Sequence, residues 1–258
     1  MNEHTDMPDV SIVIPTISGR GDKLRRALQS VDERDLSIEI IVVSGDEIDI
    51  SGLSPESPCR RVRRIRHDGP SNAAGNRNVG IEYASGRFVA FLDDDDEFTS
   101  GKLSAQIEIM GRRSVDWSFT NYALVDAINN RVSRTSARAM IQRTVDFDLN
   151  CAIATPTVVF NTQFLVDNGL RFDETLVSQE DVDLWKRAFR ISRPLYITAP
   201  MSIVHRRIDA AFNEARQESA PAGVRRFLAR AVSMWRVALD RIDEIRRRSH
   251  VLGDEAKA

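Results

Sequence analysis

The 258-residue sequence predicts an α/β fold built on a mixed, mainly parallel sheet flanked by helices. Three observations carry that expectation. Apolar runs at 10–14, 38–43 and 88–92 are rich in strand formers and too short for helices, so they read as strands buried on both faces. Stretches with helical spacing separate them, as βαβ units require. The third run ends abruptly in Asp93-Asp94-Asp95-Asp96-Glu97, at the strand end where ligands collect in an open α/β sheet.

In chain order, polar residues 1–9 are expected as a disordered leader. Pro15-Thr16 stops the first strand, and Gly19 and Gly21 turn the chain. Asp22 is the expected N-cap of a helix whose apolar side is Leu24, Ala27, Leu28 and Val31. The second strand ends at Ser44-Gly45-Asp46. Residues 48–58 read as a loop, and 62–65 as a short strand carrying arginines on its exposed side. After the turn at His67-Asp68-Gly69-Pro70, Ser71 is expected to cap a helix running through Ala73, Ala74, Val79, Ile81 and Tyr83. Gly75 and Gly80 within it each cost about 1 kcal/mol relative to Ala, which points to close packing or close approach of a ligand.

Beyond the acidic run, Ser100 is expected to cap a helix with Leu103, Ile107 and Met110 on one side. Residues 116–143 alternate weakly around Asn129-Asn130 and suggest an antiparallel hairpin. A strand at 157–160 leads to a short helix from Asn161 to Gly169, a residue suited to a helix end. A helix at 179–190 carries Val182, Trp185 and Phe189, and a strand at 195–204 is expected to break at Pro200. Val224 to Ile245 forms a long amphipathic stripe with arginines opposite.

Hydrophobic content of 42% and charged content of 29% are ordinary for a globular enzyme. The net charge of −2 gives no global attraction to nucleic acid, and the arginine clusters lack interleaved aromatics. Cys59 and Cys151 have no metal-ligand spacing, which predicts a reducing, cytoplasmic compartment. No apolar run reaches the length of a membrane span, while peripheral contact at the inner membrane face stays open. The acidic run has the charge density for a divalent cation carrying phosphates. It is not an EF-hand: Phe98 stands where that loop needs glycine, and Ser104 where it needs a bidentate Glu.

The ordered landmarks resemble one family. They are Val-Ser-Ile-Val-Ile-Pro-Thr at 10–16, Glu-Ile-Ile-Val-Val at 39–43 and Asn-Arg-Asn-Val-Gly-Ile at 76–81. Phe-Val-Ala-Phe-Leu-Asp-Asp-Asp-Asp at 88–96 follows, then Gly-Leu-Arg-Phe-Asp-Glu-Thr-Leu and Gln-Glu-Asp-Val-Asp-Leu-Trp-Lys-Arg within 169–187. Together they resemble the GT-A glycosyltransferases, in particular the inverting family 2 type. The resemblance implies a Rossmann-like nucleotide-sugar-binding half at 10–100, an acceptor-binding half of the same domain at 101–210, and a helical extension at 211–258.

It further implies transfer of a sugar from a nucleotide diphosphate sugar to a hydroxyl acceptor, a saccharide or lipid-linked saccharide, with Mn²⁺ or Mg²⁺. Asp181 is then the base that takes the acceptor proton, beside Glu180. The donor falls to Pro15, Thr16, Arg20, Asp46, Arg77, Asp93 and Asp94, and the metal to Asp95 and His205, with Arg206 as the other phosphate contact. Ser44-Gly45-Asp46 departs from the acidic pair expected after the second strand, and Asp46 is its nearest substitute. The C-terminal stripe reads as a packed helix, a homodimer contact or a membrane-surface helix. Two rivals remain at this level: a nucleotidyltransferase, which would need a glycine-rich basic loop after the first strand, and a degenerate sugar-binding module without working carboxylates.

Overall fold

A computed structural model describes residues 7–33, 35–52, 59–69, 72–126, 132–135 and 153–206. The chain divides into two compact units, Met1–Arg206 and Arg207–Ala258. The described residues all belong to the first, so the C-terminal stripe at 224–245 and the dimer expectation tied to it lie outside them.

One nine-stranded sheet organises this unit. Its strands are β1 (Val10–Pro15), β2 (Ile38–Ser44), β3 (Arg60–Arg66), β4 (Phe88–Phe91), β5 (Glu97–Phe98), β6 (Trp117–Asp126), β7 (Val132–Thr135), β8 (Val158–Asn161) and β9 (Leu195–Arg206). The order is β3-β2-β1-β4-β8-β6-β9-β5, with β7 paired to β6. The first four strands are mutually parallel, β8 runs antiparallel to both β4 and β6, and β9 is parallel to β6. Every residue of β1, β2 and β4 is buried, which is why these segments read as unbroken apolar runs.

Helices cover both faces. Ile12, Ile14, Leu24 and Leu28 join one core cluster under α1 (Gly21–Ser30) and α3 (Lys102–Arg113). Val13, Ala74 and Ile81 join the other, under α2 (Ala73–Tyr83), α4 (Thr162–Asp167) and α5 (Glu180–Ile191). Trp117 and Trp185 are fully buried there, Trp117 stacked on Phe160 and Trp185 tilted against Phe160 and edge-on to Phe172, so both are core residues.

Several local expectations shift. Asp22 lies inside α1 and Arg20 is the cap; Asn72 caps α2 by accepting from Gly75 N at 2.7 Å, and Ser71, the expected cap, lies outside the described residues; Gly101, not Ser100, precedes α3 in the left-handed region. The amides that Ser100 was expected to satisfy go instead to Glu33, whose two oxygens accept from Leu103 N and Ser104 N. The strand runs on through Pro200, but its pairing with β6 is interrupted there: the register shifts on both sides of Asn121, the residue opposite Pro200. Pro8 and Asp9, expected in the leader, are tied to the sheet: Pro8 O accepts from Arg87 N and Asp9 Oδ2 from Ser37 N, while residues 1–6 lie outside the described residues. The hairpin is present as β6 and β7, with its turn outside the described residues.

Lys102 is a costly residue in this packing. Its side chain is fully buried, its Nζ has no hydrogen-bond partner among the described residues, and it lies 4.3 Å from the centre of the Phe98 ring. Burial pushes its ammonium down to about 7 from an ordinary 10.5, only partly opposed by Glu33. The folded chain therefore binds fewer protons than the unfolded chain between those values, and stability should rise with pH across that window. Lys102→Met should stabilise the protein at pH 7 by about 1–4 kcal/mol and flatten this slope in urea titrations. Parallel stability curves for the two proteins from pH 7 to pH 10 would contradict the account.

Candidate active site

The chain runs from β1 to β3 on one side and returns to β4 on the other, so the crevice between the carboxyl ends of β1 and β4 is a topological switch point. A cleft of about 320 Å³ opens there. Pro15, Thr16, Arg20, Arg77, Asp93, Asp94 and Asp95 all line it, together with Ile17, Asn72, Ala73 and Asn76.

The acidic run alternates in its environment. Asp94 and Asp96 are buried, whereas the side chains of Asp93 and Asp95 keep 29% and 30% of their exposure. Asp94 Oδ2 accepts from Thr16 Oγ1 at 2.6 Å and its Oδ1 lies 3.0 Å from Arg20 Nη2. Both of its oxygens are thus engaged, and it orders Thr16 and Arg20. Asp96 Oδ1 accepts from the backbone N of His205 at 2.9 Å. Burial raises the carboxyl of Asp94 and raises that of Asp96 well above the ordinary range, with repulsion from Asp93 adding to both. Of the three aspartates that line the cleft, Asp93 and Asp95 are the more exposed. Asp95 Oδ2 faces Arg20 Nη2 and, at 3.3 Å, Lys23 Nζ.

Arg77 joins this cluster to the second one. Its side chain is 5% exposed and lies over the Phe172 ring. One Nη donates to Asp93 Oδ1 at 2.6 Å and the other to Glu180 Oε1 at 2.8 Å. The two carboxylates raise its pKa and keep it charged despite complete burial. Glu180 and Asp181 occupy the first turn of α5, which follows Gln179 at φ 64°. Asp181 Oδ2 accepts from Thr155 Oγ1 at 3.1 Å and its Oδ1 from Val182 N at 2.8 Å. Burial raises its carboxyl above the ordinary range, against the opposing charge of Arg77.

Asp46 and His205 are not among the residues that line the cleft. Asp46 Oδ2 accepts from Ser18 N at 2.8 Å and so pins the loop after β1. His205 reaches the acidic run through Asp96 and through Glu97, whose Oε1 lies 2.7 Å from its Nε2. Among the described residues, no group of three or more His, Cys, Asp or Glu is spaced to hold a metal ion by itself. The cleft-facing carboxylates of Asp93 and Asp95 still suit a cation bound mainly through phosphates, which takes only one or two protein carboxylates. The sequence reading missed Asn72, Asn76, Ile17 and Thr155. Asn72 carried a signal, being a capping residue just ahead of the predicted helix.

Residues 11–164 match the model of glycosyl transferase family 2. An uncharacterized glycosyltransferase of Rickettsia bellii is 29% identical over 183 residues, covering 68% of this chain and 26% of that protein. The UDP-Glc:alpha-D-GlcNAc-diphosphoundecaprenol beta-1,3-glucosyltransferase WfgD of Escherichia coli is 29% identical over 177 residues, 68% of each chain. The crystal structure of S. aureus TarS 1-349 in complex with UDP-GlcNAc superposes with a TM-score of 0.56 at 20% identity, covering 83% of this chain and 62% of that one. The chain therefore spans from about a quarter to about two thirds of the length of these proteins.

Arg77→Met should leave Asp93 and Glu180 facing each other without their shared counter-charge. A loss of about 3 kcal/mol of stability in urea titrations is expected, with Arg77→Lys recovering only part, since an ammonium cannot present two parallel N–H groups. A loss below about 1 kcal/mol for the Met variant would mean that the bridge contributes nothing net.

Proposed function

Since the chain belongs to glycosyl transferase family 2 and has the GT-A fold, we propose that it transfers a sugar from a nucleotide diphosphate sugar to a hydroxyl acceptor, with inversion at the anomeric carbon. One observation carries the reading: Arg77 holds Asp93, at the cleft, and Glu180, next to Asp181, on a single guanidinium. The two acidic clusters thereby serve one site.

In the proposed reaction the nucleotide lies in the 320 Å³ cleft, with its diphosphate toward Asp93 and Asp95 and beside Arg20. Pro15 and Thr16 form the β1 wall. The acceptor oxygen attacks the anomeric carbon while the bond from that carbon to the diphosphate oxygen breaks. The hydroxyl proton passes to Asp181, and the nucleoside diphosphate departs with the bonding electrons. Burial suits Asp181 to this task, because a carboxylate with a raised pKa is a better proton acceptor than an ordinary one. The Thr155 hydroxyl and the Val182 amide fix its orientation. A divalent cation, Mn²⁺ or Mg²⁺, held by Asp95 with Asp93 would offset the charge that builds on the leaving diphosphate.

The named relative from Escherichia coli uses UDP-Glc and a diphosphoundecaprenol-linked acceptor, which supports a uridine diphosphate sugar and a lipid-linked saccharide here. An acceptor of that kind would bring the protein to a membrane face. No helix among the described residues is long and apolar enough to cross one.

Asp181→Asn should lower kcat by at least about 100-fold while donor binding stays within about twofold. In the wild type the acid limb of kcat/KM should lie above the ordinary aspartate range, activity rising with pH as Asp181 loses its proton, and the Asn variant should lack this limb. Equal losses of binding and turnover would move the base to another residue. Chelating the divalent ion should weaken nucleoside diphosphate binding in calorimetry, and Asp95→Ala should reproduce that weakening. Binding that ignores both treatments would remove the cation from the scheme.

A further inference from the structure

The cleft has two ends. At one, Asp93 and Asp95 follow β4. The other lies toward β2 and β3, and its key residue is Asn76, in the first turn of α2. Asn76 lines the cleft yet is only 2% exposed. Its Oδ1 sits 2.8 Å from Nδ1 of His67, the residue just past β3, whose own backbone N donates to Ser44 O at the end of β2. Its Nδ2 has no hydrogen-bond partner among the described residues. Gly69 completes the arrangement, because a Cβ there would lie 2.5 Å from His67 Nε2 and displace the ring. The same cleft is lined by Ile17, an apolar side chain that is 45% exposed.

We propose that the His67–Asn76 pair reads the base of the bound nucleotide, accepting a carbonyl at the base edge and rejecting an amino group there. The inference rests on the donor assignment above, which puts the diphosphate at the Asp93–Asp95 end and so leaves the β2–β3 end for the nucleoside. Asn76 Oδ1 faces His67 Nδ1 and can only accept, so in this arrangement Nδ1 carries the proton and the amide oxygen is held away from the cleft. The cleft therefore meets the Nδ2–H donor, while Ile17 offers an apolar surface to the flat ring. Uracil and cytosine have the same ring shape and differ in carrying a carbonyl or an amino group at one edge position. An amino group against Nδ2 would set donor against donor in a nearly dry place, a mismatch of roughly 10- to 100-fold in affinity.

Titration calorimetry of the full chain with UDP and with CDP, in Mg²⁺ buffer, tests this directly. The wild type should bind UDP at least about tenfold more tightly than CDP. Asn76→Asp keeps the shape but replaces the donor with an acceptor, so UDP should weaken about tenfold, CDP should not, and the preference should collapse. His67→Phe, which frees the amide to rotate, should narrow the preference while UDP still binds, and it serves as the test if the Asp variant does not fold. Equal wild-type affinities for the two nucleotides, or a preference unchanged in the variants, would overturn the proposal and leave the donor assignment standing. Absence of binding by either nucleotide would overturn both together.

Discussion

A guanidinium shared between two carboxylates from distant parts of the chain is the constraint on which this site depends. Arg77 is 16 residues from Asp93 and 103 from Glu180. Neither contact is local, so the bridge forms only once the sheet has closed and α5 has docked against it. The buried charge can persist because both neighbours are anionic and its planar fork fits two oxygen acceptors at once. Phe172 covers the guanidinium from the side and is itself packed on Phe91 and Trp185. The aromatic core thus sets where the polar bridge lies, and the bridge sets how far apart Asp93 and Glu180 stand.

The same economy explains how four consecutive aspartates can follow a buried strand. Two of them turn inward and acquire partners, Asp94 from Thr16 and Arg20, Asp96 from the His205 amide. These partners come from the ends of β1 and β9, so each inward carboxylate ties β4 to another strand. The outward pair, Asp93 and Asp95, is left half-open among cations from α1 and α2. A run that looks like uniform repulsion in the sequence is, in the fold, an alternation of half-open and buried groups.

How far the sequence could be read follows from where the information sits. The central strands were legible because burial on both faces leaves a continuous apolar signature in β1, β2 and β4. Membership of Asp93, Asp95, Glu180 and Asp181 in acidic motifs was equally plain. Caps were not. Asn72 is the cap of α2, and Ser100, a good capping type, lost to Glu33 arriving from elsewhere in the chain. β5 was hidden inside the acidic run, because a two-residue strand has no periodicity and exists only through its pairing with β9. The roles of Asp46 and His205 depended on which neighbours the fold supplied, and their spacing in the sequence carried no trace of Ser18 or Glu97.

Helix α2 shows why the site itself was hardest to read. An ordinary helix on a sheet buries an apolar face. This one buries Asn76, Arg77 and Asn78 in succession, so its pattern contradicts the rule where it meets the cleft. Each of these side chains has a partner: Asn76 Oδ1 in His67, Arg77 in Asp93 and Glu180, Asn78 in Phe172 O and Glu174. The reach of these side chains depends on how closely the helix lies on β1, and Gly80 sets that distance. A Cβ at residue 80 would fall 2.1 Å from Val13 Cγ1, so only glycine lets the backbone settle there. Gly80 stands three residues beyond Arg77, on the neighbouring turn of the same helix, and close seating at one point lowers the whole of that face. The glycine that looked like a weakness in the helix is what brings the buried arginine within reach of its two carboxylates.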